Sequence, residues 1–165
     1  MKSIRILFLM LAAAVCAFPL SAESDGGWAV GGAAQLVLPQ GGSDCRRKAG
    51  GSVRVARYLT DSLALEGEAA WLEDSVGLSL RTLWHLHGWD EYDKLFGFSR
   101  FDPFFTFGAK GWIGSSGEVG PSAGFGAFWY LTDDWALRAD ADATLGLDGE
   151  AGMVYSIGVG VQYSF

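Results

Sequence analysis

Two histidines two residues apart, His85 and His87, are the first side chains in this sequence with an evident capacity for chemistry. On a strand that spacing puts both imidazoles on one face, where they could ligate a metal ion or act as a general base. Ser79 and Ser156 offer hydroxyls for nucleophilic attack, and the pairs Glu66/Glu68 and Asp140/Asp142 could divide acid and base work. No third ligand stands at metal-binding spacing, and no motif marks a Ser–His–acid order. The carboxylates have a simpler use. Read as strands, the segments turn Arg54, Arg81, Lys110 and Arg138 to the same inward face, so four cations meet the four anions Glu66, Glu68, Asp140 and Asp142. These eight residues are expected to form an interior ion-pair network. No catalytic residue, metal ligand or cofactor is assigned.

The network needs elements that alternate, and the sequence supplies them. From Gly152 to Phe165, Met153, Tyr155, Ile157, Val159, Val161, Tyr163 and Phe165 fall on one parity and Val154, Ser156, Gly158, Gly160, Gln162 and Ser164 on the other. A strict period of two is a strand. Seven further segments alternate: about 27–38, 51–59, 62–72, 75–87, 103–113, 120–131 and 135–145. In the seventh, Trp135, Leu137, Ala139, Ala141, Ala143 and Leu145 oppose Arg138, Asp140, Asp142 and Thr144. Polar or Gly-rich connections separate the segments, and the stretch 88–102 is a long, charged one. A greasy strand in water invites aggregation. It makes sense if its apolar face meets lipid and the sheet closes on itself. The expected fold is therefore all-β, a closed antiparallel eight-stranded transmembrane barrel. A soluble barrel holding an apolar ligand would need the reverse polarity.

The start of the chain reads differently. Lys2 and Arg5 precede an apolar run without acids, and Leu20-Ser21-Ala22 offers small residues before Glu23. Residues 1–22 read as a secretory signal peptide and 23–165 as the barrel domain. The formal charge of −7 grows more negative when Lys2 and Arg5 leave. That argues against nucleic acid as a partner, because phosphate recognition needs basic surface. The one basic cluster is Arg46-Arg47-Lys48. Cys45 would be the single cysteine of the exported chain, so no internal disulfide is expected.

Tyr58-Leu-Thr-Asp-Ser-Leu-Ala-Leu65 and Tyr130-Leu-Thr-Asp-Asp-Trp-Ala-Leu137 repeat one hairpin design half a barrel apart. These hairpins, the Pro103-Phe-Phe-Thr-Phe-Gly-Ala-Lys-Gly111 segment and the terminal Tyr163-Ser-Phe165 resemble the OmpA/OmpX-type eight-stranded outer-membrane barrels, in the barrel domain only. The resemblance implies a Gram-negative-type outer membrane, with both chain ends and the two Thr-Asp turns on the periplasmic side. It also implies that Tyr163 and Phe165 form the signal read by the barrel-assembly machinery. Trp28, Trp84, Trp129, Trp135 and Tyr163 are then expected at the periplasmic interface and Trp71 and Tyr155 at the outer one, as an aromatic girdle. Arg57 has outward parity near a strand end, within reach of headgroup phosphate. An eight-stranded barrel has room inside only for side chains, a point for which this family is a standard example. With the network added, the bore is expected to be plugged. The expected role is structural or interactive, in contact with outer-membrane lipid, as a monomer and not as an enzyme. A transporter or narrow channel for small or hydrophobic solutes is the alternative, and a lipid-modifying barrel enzyme a further one.

Overall fold

Each alternating run forms a strand because one set of side chains has an apolar surroundings to meet and the other a polar one. The computed structural model describes residues 27–40, 47–86, 100–114, 119–147 and 152–165. Strand β1 spans Trp28–Gln40, β2 Lys48–Thr60, β3 Leu63–Leu72 and β4 Ser75–His85. Strand β5 spans Phe101–Gly114, β6 Val119–Tyr130, β7 Trp135–Leu145 and β8 Met153–Ser164. Each pairs antiparallel with the next, and β8 returns to β1 to close the barrel. Closure removes every sheet edge and satisfies the strand backbone without water. The seam is zipped to its last residue: the Trp28 N–H donates to the Phe165 carbonyl at 2.9 Å, and the Phe165 N–H donates to the Trp28 carbonyl at 2.8 Å.

The end where Trp28 and Phe165 meet is here termed proximal and the opposite end distal. The β2–β3 and β6–β7 turns are proximal, and their shared sequence has a shared geometry. The Thr60 hydroxyl accepts from the Ser62 N–H at 3.3 Å. The Thr132 hydroxyl accepts from the N–H groups of Asp134 at 3.3 Å and Trp135 at 3.0 Å. A threonine side chain thus stands in for a backbone acceptor in each turn.

Side-chain polarity is inverted relative to a soluble protein. Phe125 and Val159 point outward and are 64% and 61% exposed, whereas Arg81 is 1% exposed and Glu66 0%. Ionic groups occupy the position of a hydrophobic core, and aliphatic and aromatic groups coat the exterior, the pattern of a barrel surrounded by acyl chains.

Strand limits differ from the sequence reading at several points. Strand β2 begins at Lys48, three residues before Gly51, β1 continues to Gln40, and β6 begins at Val119. The main change is in β5, which begins at Phe101 and so takes Asp102 out of the connection. Asp102 pairs in register with Phe128 and keeps the inward parity of Phe104 and Thr106. Its carboxylate has a buried partner, which outweighs the poor strand propensity of aspartate. Residues 1–22, Cys45, Arg46 and His87 lie outside the described residues.

Candidate functional site

The bore is lined by one parity of each strand, odd numbers in β1 and β4 and even numbers in the other six, so the residues that enter it follow from the sequence and the register. Strand β2 supplies Arg54, β3 Glu66 and Glu68, β4 Arg81, β5 Lys110, and β7 Arg138, Asp140 and Asp142. Arg54 bridges the bore: its Nε lies 2.8 Å from Glu68 Oε1 and its Nη1 2.7 Å from Asp140 Oδ1. Arg81 sits at the centre. Its Nη2 is 2.7 Å from Glu66 Oε1 and 3.1 Å from Glu68 Oε2, and its Nη1 is 3.4 Å from Asp142 Oδ2. Arg138 forks onto both oxygens of Glu66, with Nη2 to Oε1 at 3.1 Å, and its Nε reaches Asp140 Oδ1 at 3.3 Å. Lys110 Nζ lies 3.3 Å from Asp142 Oδ1 and donates to the Ser156 hydroxyl at 2.9 Å. Gln35 from β1 donates to Ser52 Oγ at 3.1 Å and also to Glu68. The eight charges therefore form one connected mesh contributed by five strands. Each arginine contacts more than one carboxylate, the geometry in which buried ions compensate one another's lost hydration.

An apolar layer closes each end of this mesh. Distally, Val37, Ala70, Leu72, Trp112 and Val154 form one buried cluster. Proximally, Ala64, Leu83, Phe104, Phe128 and Ala136 form another, with Tyr58 and Tyr130 against it. Arg138 ties the ionic layer to the proximal one, with its guanidinium 4.9 Å from the Phe104 ring centre and 5.1 Å from that of Phe128. Lys110 does the same distally, 5.1 Å from Trp112. Two glycines make room. A Cβ at Gly77 would fall 2.2 Å from the Trp112 ring, and one at Gly158 would fall 2.9 Å from Arg54 Nη2. Without them the distal tryptophan and the Arg54–Asp140 bridge would both have to shift.

The chemistry-bearing candidates fall into this packing. The Ser79 hydroxyl donates to Glu68 at 3.3 Å, and the Ser156 hydroxyl is held by Lys110. His85 is buried, with Nδ1 2.6 Å from Asp102 Oδ2 and its ring stacked 5.6 Å from that of Phe128. Tyr130 donates to the same Asp102 oxygen at 3.5 Å. Among the described residues no group of three or more His, Cys, Asp or Glu is placed to hold a metal ion. The His85–Asp102 pair and the proximal ring cluster of Phe104, Phe128, Tyr58 and Tyr130 do not figure in the sequence reading. Parity was the available signal: Asp102, Phe104, Thr106, Lys110 and Trp112 share it. Trp112 shows why side-chain type misleads here, since six other tryptophans invite an outward assignment for all seven.

On the exterior, Trp84, Trp129 and Trp135 stand exposed toward the proximal end, with Trp28 and Tyr163 half-buried beside them. Tyr163 packs between Trp135 at 5.0 Å and Phe165 at 6.0 Å. Trp71 and Tyr155 are exposed near the distal end.

No protein-family model and no curated protein sequence matches the chain. Solved structures do. The N-terminal β-barrel domain of Pseudomonas aeruginosa OprF is 20% identical, with a TM-score of 0.59 over 86% of this chain and 100% of that one. Neisserial surface protein A is 12% identical, with a TM-score of 0.60 over 84% of this chain and 97% of that one. A de novo designed transmembrane β-barrel is 12% identical, with a TM-score of 0.57 over 87% and 98%. The chain has the fold of the eight-stranded outer-membrane β-barrels.

Proposed function

We propose that this protein is a resident of a Gram-negative-type outer membrane that acts as a small, self-sealed structural or interaction element and not as a diffusion pore. The observation that carries this reading is the filled bore: an ionic mesh of Arg54, Glu66, Glu68, Arg81, Lys110, Arg138, Asp140 and Asp142 between two apolar layers. A solute path along the axis would have to separate ion pairs at the centre and displace Trp112 at one end and Phe104 and Phe128 at the other. In this reading Trp28, Trp84, Trp129, Trp135 and Tyr163 anchor the periplasmic interface and Trp71 and Tyr155 the outer one. Tyr163 and Phe165, at the zipped seam, serve as the assembly signal after residues 1–22 are removed. A non-enzymatic role fits the placement of the Ser79 and Ser156 hydroxyls and the His85 Nδ1, which bond to neighbours inside the packed bore. Planar-bilayer recording from residues 23–165 tests the seal. The expected trace has no sustained openings at moderate voltage. Stable, large-conductance channels from pure protein would contradict a plugged bore.

A further inference from the structure

The outward parity of the described strands carries a single charge. Among the described strand residues that face out, Arg57 of β2 is the one cation and there is no acid. Arg57 pairs in register with Trp28 of β1 on one side and Leu65 of β3 on the other, and Leu65 pairs with Thr82 of β4. Trp28, Arg57, Leu65 and Thr82 thus form a row across four strands near the proximal rim. The Arg57 guanidinium lies over the indole of Trp28, 5.5 Å from the ring centre. Its Nε is shielded from solvent and has no hydrogen-bond partner among the described residues. The arginine lies against the ring, and among the described residues no carboxylate on this face neutralises its charge.

We infer that Arg57, stacked on Trp28, is a binding site for the phosphodiester of an anionic phospholipid in the proximal leaflet. The inference rests on the membrane-resident reading above. A cation on a lipid-facing position is costly at mid-depth, and the cost falls near the interface. Arg57 lies three residues before the end of β2, at the level where phosphates replace acyl chains. A guanidinium forks onto two phosphate oxygens, a geometry that a lysine ammonium cannot reproduce. Stacking on Trp28 fixes the plane of the fork through a cation–π contact and leaves its N–H edges to donate. Thr82 places a hydroxyl in the same row, and Leu65 between them presents an apolar surface for the start of the acyl chains. An anionic headgroup leaves net charge to neutralise the arginine, whereas a choline headgroup carries its own cation. The partner is therefore an anionic glycerophospholipid, not a zwitterionic one.

Native mass spectrometry of the barrel released from nanodiscs of equal parts phosphatidylcholine and phosphatidylglycerol tests this. The unmodified protein is expected to retain phosphatidylglycerol in preference, and Arg57→Gln to lower the retained fraction about fivefold. Arg57→Lys and Trp28→Leu should each fall between the two. Equal retention of both lipids by the unmodified protein, or undiminished phosphatidylglycerol on Arg57→Gln, would overturn the site. Heat-modifiable gel migration monitors the barrel in each sample. A barrel that inserts and ignores Arg57 removes the site alone; an unmodified protein that never inserts removes the membrane reading and the site together. Should Arg57→Gln fail to fold, Arg57→Lys and Trp28→Leu carry the comparison, and undiminished phosphatidylglycerol on both would overturn the site.

Discussion

Replacing Arg81 with alanine is expected to lower the stability of the folded barrel by about 3–5 kcal/mol. Arg81 touches Glu66, Glu68, Asp140 and Asp142, and all four carboxylates are buried. Removing the guanidinium leaves them facing one another with three cations in place of four. The penalty is that of uncompensated buried charge, and it exceeds what the ion pairs contribute net of their desolvation. The double variant Arg81→Ala/Glu66→Gln should therefore be less destabilised than the sum of its two single variants, because the second change removes part of the imbalance that the first creates. Urea unfolding in liposomes, followed by tryptophan fluorescence, measures all three. A loss below about 1 kcal/mol for Arg81→Ala would mean that water or conformational relaxation hydrates the acids, and the bore is not sealed at its centre.

Val159→Arg is expected to cost about 2–4 kcal/mol, because Val159 lies mid-strand in β8 on the outward parity, at the depth where a cation is least tolerated. The same substitution at Leu131, exposed near the proximal rim, should cost about 0–1 kcal/mol, since an arginine there can reach the headgroups. The depth dependence is the informative part. In a soluble barrel both positions would face water and both changes would be nearly neutral. The same unfolding assay reads both variants, and equal small effects at the two sites would contradict a lipid-facing exterior.

Much of this architecture is legible before any coordinates, and for a physical reason. A strand between lipid and a packed polar bore must alternate at every residue, so parity alone places Arg54, Glu66, Arg81, Asp140 and Asp142 on one face and Val53, Val55, Leu137 and Val159 on the other. The hairpins of the repeat are legible because their threonines have a specific bonding task. Pairing inside the bore is not. Arg54 meets Asp140 across 86 residues of sequence, and that contact depends on barrel closure, strand stagger and the missing Cβ of Gly158. Asp102 is misread because a proline follows it and aspartate disfavours strands, yet His85 on the adjacent strand gives its carboxylate a partner. Trp112 is ambiguous because its indole suits a membrane interface as well as a packed interior. The space above Gly77 decides it, and that space exists only once β4 and β5 are in register.

Single cysteines placed in turn at positions 156, 157, 159, 161 and 162 of β8, in a Cys45→Ser background, would report the surroundings of each face directly. In bilayers, spin-labelled or fluorescent derivatives at 157, 159 and 161 should collide with lipid-dissolved oxygen and ignore water-soluble quenchers and thiol reagents. Cysteines at 156 and 162 should be shielded from both phases, since Ser156 and Gln162 are buried among Lys110, Arg138 and Tyr58. Alternation of that kind is the expected result. Reaction of 156 or 162 with a water-soluble thiol reagent would show an open bore, and aqueous exposure of 157, 159 and 161 would show that the apolar coat does not face lipid.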